Sequence, residues 1–448
     1  MDSTFYFQWQ YLITHINNLH YEKFQDGTVK CIEDEIPFEV PEGWCWCRLR
    51  DICMMLAGKS KPADQIKSEY FEGSYPCFGG NGIRGYVDEY NQDGTFSIVG
   101  RQGALCGNIN VATGKFYATE HAVVTTLFVG IDFKWSNYIL EALRLNKYAT
   151  GAAQPGLSVA NILNVFVPIP PTQEQDRIGN NIDKSLKIIE VIEQEKTDLQ
   201  KNIITAKSKI LDLAIRGKLV PQAPNGEPAS VLLERIRAEK EKLILQGKIK
   251  RDKKESVIFK GDDNSYYGIS LPTGWSWTIL KDISFSISDG SHNPPSNKEF
   301  GVPLLSAANV NNNSILINNA SRWITNEEWE IENQRTDIEI GDVLLTIVGS
   351  IGRSAVVETN EHFALQRSVA VIKPCLISPF YLMRIFQAPQ IQKWINDNSK
   401  GTAQKGIYLN ALSIMTVPIP PLDEQLRIVK QISIFFEQLD LISSSLLC

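Results

Sequence analysis

The sequence predicts an α+β protein: two similar mixed, strand-rich units joined by long antiparallel coiled-coil helices, with a pseudo-twofold, circular repeat. Three observations predict it. The first is that the chain is written twice. Val40-Pro41-Glu42-Gly43-Trp44-Cys45-Trp46 returns as Leu271-Pro272-Thr273-Gly274-Trp275-Ser276-Trp277. Gly151-Ala152-Ala153-Gln154 with Gly156 returns as Gly401-Thr402-Ala403-Gln404 with Gly406, and Ile98-Val99-Gly100 with Gly103 returns as Ile347-Val348-Gly349 with Gly352. Val167-Pro168-Ile169-Pro170-Pro171 with Glu174-Gln175 returns as Val417-Pro418-Ile419-Pro420-Pro421 with Glu424-Gln425. The second is a 4-3 spacing of apolar residues after the first Pro-Pro, broken only at Ser185 and Lys196: Ile178, Ile182, Ile189, Ile192, Leu199, Ile203, Ala206, Ile210 and Leu213. A repeat held this long marks a helix that lies along another helix. The third is the texture of the rest, short apolar runs separated by Gly and Asn turns, as in a strand core.

Taken in order, residues 1–39 are expected to be an N-terminal helix over Phe5 to Leu19 and a lead-in. Residues 40–171 form the first unit. It opens on a short strand with Trp44 and Trp46 on one face, as core residues. Strands are expected at Thr95 to Gly100 and Ala122 to Val129, and a helix at Asn137 to Leu145. Residues 172–260 form the central helical region. Pro170 and Pro171 block any backward extension of its long helix, and Thr172 with Gln175 reads as a capping box. Gly217 and Pro221 end that helix near Arg216. About 45 residues at ~1.5 Å each make a rod of roughly 67 Å. A second helix over Glu227 to Gln246 and the basic run Lys248 to Lys254 follow. Residues 261–421 form the second unit, with strands at Asp342 to Val348 and Ser368 to Ile372 and a helix at Pro379 to Asn396. Residues 422–448 form a short C-terminal helix on the same heptad, through Ile428, Ile432, Phe435, Leu439, Ile442 and Leu446.

Composition narrows the function classes. With 448 residues, 43% hydrophobic and 21% charged, the chain has room for two or three domains of ordinary globular type. No apolar run is long enough to span a bilayer and no secretory signal opens the chain, so a cytoplasmic location without membrane partners is expected. Eight scattered cysteines complete no zinc pattern and read as reduced thiols. The net charge of −6 argues mildly against a nucleic-acid binder but leaves room for a local basic surface.

Two motifs tempt and fail. Gly80-Asn81-Gly82-Ile83-Arg84-Gly85 matches GxGxxG, but strand-like Tyr86-Val87-Asp88-Glu89-Tyr90 follows it where a dinucleotide site needs a helix. Asn293-Pro294-Pro295-Ser296 resembles the Asn-Pro-Pro-aromatic motif of adenine methyltransferases, yet Ser296 replaces the aromatic and no glycine-rich S-adenosylmethionine loop precedes it. No hydrolase, P-loop or nuclease pattern stands out, so no catalytic residue, metal or cofactor is expected. The polar loops instead carry side chains that pair with base edges or hold phosphates. The candidates are Lys59, Asn81, Arg84, Arg101, Gln102, Asn108, Lys115 and Gln154 in the first unit. In the second they are Ser291, His292, Asn293, Asn309, Arg353, Gln366, Arg367, Gln404 and Lys405.

The duplicated units, the Pro-Ile-Pro-Pro-x-x-Glu-Gln-x-x-Ile exits, Ala214-Ile215-Arg216-Gly217-Lys218-Leu219-Val220-Pro221-Gln222 and Glu227-Pro228-Ala229-Ser230-Val231-Leu232-Leu233-Glu234-Arg235-Ile236 resemble a specificity subunit of a type I restriction–modification system. The resemblance implies two target-recognition domains, each reading one half of a bipartite, asymmetric site in double-stranded DNA. It implies partners too: two DNA methyltransferase (modification) subunits, which carry the methylation chemistry, and restriction subunits in the full complex. The alternatives are a single-chain methyltransferase or nuclease, and a protein-binding scaffold with no DNA role. In an antiparallel pair the second helix would run out near Glu195. Ile178, Ile182, Ile189 and Ile192 are therefore expected to lack their helical partner and to form a partner-binding face.

Overall fold

In the computed structural model, residues 12–16, 19–24, 26–103, 105–151, 155–223, 226–249, 251, 265–401 and 405–446 are described. The chain divides into two compact units, residues 1–193 and 194–448. The boundary falls inside one long helix, so each unit carries half of it.

Unit 1 starts with β1 (Leu12–Ile16), β2 (Leu19–Lys23) and β3 (Val29–Cys31), a three-stranded antiparallel sheet. This corrects the expected N-terminal helix: Leu12–Ile16 is strand. Its β-branched residues and the alternation that continues through Leu19-His20-Tyr21-Glu22 suit a pleated surface better than a helical stripe. Then come β4 (Cys45–Arg48), β5 (Cys53–Ala57), β6 (Tyr75–Gly79), β7 (Gly82–Val87), β8 (Gln92–Gly100), β9 (Ile109–Ala118) and β10 (Ala122–Leu127). Helices α1 (Phe133–Ala142) and α2 (Val159–Leu163), strand β11 (Phe166–Ile169) and helix α3 (Thr172–Ile215) complete the order. Six strands form one sheet in the order β5-β10-β8-β9-β6-β7. Its core holds Met55, Val99, Val123, Trp135, Leu140 and Ile162, with Ile178 of α3 packed against it.

Unit 2 holds the second half of α3 and α4 (Ala229–Leu245), then β12 (Ser265–Tyr266), β13 (Ile269–Ser270), β14 (Ser276–Ile279), β15 (Ser284–Asp289), β16 (Val302–Leu305), β17 (Val310–Asn311), β18 (Ser314–Ile315) and β19 (Trp323–Ile324). Helix α5 (Asn326–Thr336) leads to β20 (Val343–Thr346), β21 (Ser354–Val356), β22 (Ala364–Leu365) and β23 (Val369–Pro374). Next are α6 (Pro379–Gln387), α7 (Pro389–Asp397), α8 (Leu409–Ser413), β24 (Thr416–Ile419) and α9 (Leu422–Ser445). Pro389 splits the single helix expected over Pro379 to Asn396, because its missing N–H cannot continue α6. The central sheet runs β15-β23-β20-β21.

Each unit is closed by pairing its entry strand with its exit strand. Trp46 lies opposite Pro168 in β4–β11, and Trp277 opposite Pro418 in β14–β24. That explains why the Gly-Trp-x-Trp and Pro-Ile-Pro segments repeat together. Within unit 2, α9 runs antiparallel to the second half of α3. Near its start Gln222 Nε2 donates to Glu424 Oε1 (2.7 Å) and Arg427 Nη1 to Pro221 O (2.7 Å). Further on, Lys207 pairs with Asp440. The Phe436 ring lies between Lys207 Nζ and Arg384 Cζ, 5.1 and 5.0 Å from its centroid. Burial pulls the pKa of the Arg384 guanidinium down to about 10.

The end of α3 is fixed by Gly217. Its φ of +65° favours glycine, and a Cβ there would lie 2.4 Å from Pro272 Cγ. The start of α3 differs from the expected capping box. Thr172 Oγ1 donates to Gly130 O (3.2 Å), and Gln175 turns inward. Along α3 the apolar face is unevenly covered: Ile189 and Ile192 are 49% and 57% exposed, and Ile203 only 6%. Ile182 is half-buried. Ile178 is not left bare as expected, since the unit 1 core takes it. Among the described residues no helix is long and apolar enough to cross a membrane.

Candidate nucleic-acid interface

Four loop segments meet at one end of unit 1 through backbone bonds. Gly58 N donates to Ala122 O (3.0 Å) and Lys59 N to Ala118 O (3.0 Å). Arg101 N donates to His121 O (2.9 Å), Leu157 N to Arg101 O (2.8 Å) and Gly103 N to Pro155 O (3.0 Å). The close approach at Gly58 requires glycine, because a Cβ would lie 2.1 Å from Ala118 O. The small-residue loop that begins at Gly151 is pinched at its base by paired bonds between Thr150 and Gly156.

Unit 2 weaves the same frame. Gly290 N donates to Val369 O (3.2 Å) and Ser291 N to Leu365 O (2.7 Å). Ile347 N donates to Ser368 O (2.8 Å), Ile407 N to Ile347 O (2.9 Å) and Gly349 N to Lys405 O (3.2 Å), while Lys400 and Gly406 pinch the second loop. A Cβ on Gly290 would lie 2.1 Å from Leu365 O, as at Gly58. These bonds fix the register of the repeat. Arg101 corresponds to Ile347, Gly103 to Gly349, Lys59 to Ser291 and Glu120 to Arg367. The match of Ile98-Val99-Gly100 with Ile347-Val348-Gly349 is therefore three residues out of step. Strand pairing agrees, since Gly100 faces Ala122 where Thr346 faces Val369. The two alike triplets therefore occupy different positions in the two frames.

The frames are alike, but their charges are not. In unit 1 the cations sit at Lys59 and Arg101; in unit 2 they sit at Arg367, Lys400 and Lys405. Among the described residues, Arg84, Arg101 and Arg367 make no ion pair or side-chain hydrogen bond. In unit 1 the β6–β7 hairpin adds a cleft of about 500 Å³ lined by Gly80, Asn81, Arg84, Gln102, Leu105 and His121. Asn108 Nδ2 donates to Asn81 Oδ1 (3.2 Å) at its rim. The Gly80-to-Gly85 motif is thus a strand turn carrying Arg84.

The other candidates divide. Gln366 bridges to Ser291, and Arg367 N donates to Ser291 O (2.9 Å), so these residues, exposed His292 and Asn293 adjoin Arg367. Ser291 Oγ donates to Glu332 (3.0 Å) and His292 Nε2 meets Asp289 Oδ2 (2.8 Å), which commits both side chains locally. Arg353 Nη1 donates to Asn311 Oδ1 (3.2 Å) beside the Gly349 turn. Asn309 is buried, accepts from Ser306 N and donates to Leu316 O and Asn319 O, so its side chain is committed within its own turn. Lys115 stands over the Tyr90 ring, 4.6 Å from its centroid, away from the cluster that holds Asn81, Arg84 and Gln102. Gln154 and Gln404 lie outside the described residues.

The sequence marks Gln175 only as a capping residue and Gln425 only as its repeat, though a place in a repeated motif is a signal of more. Each is buried where a unit meets its exit helix.

The family described as the type I restriction modification DNA specificity domain matches residues 41–201 and 280–446. The chain belongs to that family. This specificity subunit is 41% identical over 165 residues to the type I restriction enzyme EcoprrI specificity subunit of Escherichia coli, a stretch that covers 37% of this chain and 40% of that protein. It is 24% identical to the EcoEI specificity subunit of Escherichia coli over 95% of this chain and 83% of that protein. Two solved structures share the fold. The HsdS subunit from Thermoanaerobacter tengcongensis has a TM-score of 0.55 at 17% identity, covering 92% of this chain and 93% of that one. A chain from a structure of type I system assembly and conformational transition has a TM-score of 0.58 at 16% identity, covering 92% and 94%. A specificity subunit is the non-catalytic member of its system.

Proposed function

We propose that this chain recognises a bipartite, asymmetric site in double-stranded DNA, one half-site through each unit, and carries two modification subunits to it. The matched loop frames with mismatched cations carry this reading. A shared frame offers both units the same approach to a groove, while different side chains on it select different bases. Arginines with no partner among the described residues can pair bidentately with guanine or hold phosphate. The relatives are named as specificity subunits of type I restriction enzymes, which accords with the reading. With a net charge of −6, the chain leaves much of the non-specific phosphate binding to its partners. Ile189 and Ile192, on the bare half of α3, belong to the surface those modification subunits cover; restriction subunits join in the full complex. Mapping methylated adenines in cells that express the chain with its partner subunits tests the proposal. Two unlike half-sites at one separation support it; methylation with no sequence preference overturns it.

A further inference from the structure

We propose that Gln175 and Gln425 are positioning residues that fix the direction in which α3 and α9 leave their units, and so set how narrowly the chain selects half-site separation. The inference rests on the bipartite reading above.

The two residues are 1% and 0% exposed. Gln175 Nε2 donates to Pro170 O (2.9 Å), and its Oε1 accepts from Asp132 N (2.8 Å). Gln425 repeats this in unit 2: Nε2 donates to Pro420 O (3.1 Å) and Oε1 accepts from Ser378 N (3.0 Å). Asp132 and Ser378 are the N-caps of α1 and α6. One side-chain amide therefore ties three elements: the exit strand, the first turn of the outgoing helix and the helix packed beside it.

The chemistry selects glutamine. Helix bonding in α3 begins at Pro171 O, which receives Glu174 N and Gln175 N, so Pro170 O falls outside the ladder. The cap N–H of Asp132 lies ahead of the α1 ladder and has no partner within that helix. A buried donor and a buried acceptor thus face one site, and a primary amide satisfies both in one orientation. A carboxylate has no donor for the proline carbonyl, and an apolar isostere serves neither group. In unit 1 the joint extends one turn onward. Lys134 of α1 donates to Asn180 (2.9 Å) and pairs with Asp183 (2.6 Å) of α3. A Cβ on Gly179 would lie 2.8 Å from Lys134 Cβ, so glycine lets the two helices meet there.

A long lever makes a small angle matter. Over the 44 residues of α3, at ~1.5 Å each, a 5° change at the joint moves the far end by about 6 Å, more than the ~3.4 Å rise of one base pair.

The test uses the full chain assembled with its modification subunits. Competition binding compares DNAs carrying the mapped half-sites at the native separation and at separations one to three base pairs longer or shorter. The variants are Gln175→Met, Gln425→Met and Gln175→Glu, each checked for folding by thermal melting. The expected result is unchanged base preference in both half-sites, while preference for the native separation falls about tenfold, the scale of one or two buried hydrogen bonds. Hydrogen exchange supplies a local readout: Gln175→Met speeds exchange at the Asp132 amide and leaves the Ser378 amide alone, and Gln425→Met does the reverse. Folded variants with the wild-type separation preference overturn the proposal. So does an equal loss of base and separation preference, or failure of all three variants to fold, either of which makes these residues general folding residues. If wild type itself prefers no bipartite DNA, the function reading fails instead, while the exchange readout still reports on the joint.

Discussion

Glu22 is buried beside Arg48 and Arg50, and its carboxylate accepts from Arg48 Nε (2.8 Å), Arg48 Nη2 (2.6 Å) and Arg50 Nη2 (3.0 Å). The Arg48 hydrogen bonds hold its pKa below the ordinary value of 4.5, against the opposing pull of burial. A carboxylate with a depressed folded pKa adds stability that is complete above its unfolded pKa. That stability is lost as pH falls through the folded value. Glu22→Ala is expected to cost unit 1 about 3 kcal/mol near neutral pH, since Arg48 and Arg50 lose their most buried partner and keep only the Asn164, Glu35 and Asp51 contacts at its edge. The variant should also lose less further stability than wild type as pH drops below 4.5. Urea unfolding across that range measures both. At the interface, Arg84→Ala and Arg367→Ala are each expected to relax one half-site by about 1–3 kcal/mol and leave the other unchanged. Binding to a library randomised in one half-site at a time reads this directly. Residue type alone marks Arg84 and Asn309 equally as readers. They differ in where the fold puts them, since Arg84 follows a hairpin turn and Asn309 caps a buried one, and no local spacing records that difference.

At the scale of elements, α3 shows what a pattern can and cannot say. Its 4-3 repeat is broken only at Ser185 and Lys196, and the helix that forms matches it. Which stretch of the stripe is covered depends on segments far away in sequence: the unit 1 core takes Ile178 and the unit 2 core takes Leu211, and Ile203 is buried as well. The double variant Ile189→Ser with Ile192→Ser is expected to change stability by no more than about 0.5 kcal/mol and to weaken binding of the modification subunits. Leu211→Ser, from the buried end, should cost about 2–4 kcal/mol by leaving a cavity and an unpaired hydroxyl. Thermal melting with a pull-down on the partner separates the two effects. The central strands β8, β10, β20 and β23 are legible in the sequence because apolar runs bounded by turns have few other uses. The N-terminal strands are not, because a five-residue mixed segment such as Leu12–Ile16 fits both periods and its strand partner decides. The three-residue slip in the repeat has the same origin. Triplets of Ile, Val and Gly end many strands, and only the hydrogen bonds to Ala122 and Val369 show which ends correspond.

At the scale of the molecule, duplication is legible in the residues alone, since entry and exit motifs return in the same order. Its physical reason lies in the strand pairs β4–β11 and β14–β24, which close each unit on itself. The pairing makes a unit that can diverge in its loops while its frame and its helix joint stay constant. The loops differ in charge placement, with Lys59 and Arg101 on one frame and Arg367, Lys400 and Lys405 on the other. Two unlike readers on one chain should demand two unlike half-sites, and a helical spacer should hold them at a fixed separation. The measurement that tests this most directly is the methylome of cells that gain the chain together with its modification subunits. The account predicts methylated adenines within one asymmetric, two-part sequence with a single gap length. A contiguous or palindromic target, or two parts separated by many different gaps, would contradict it.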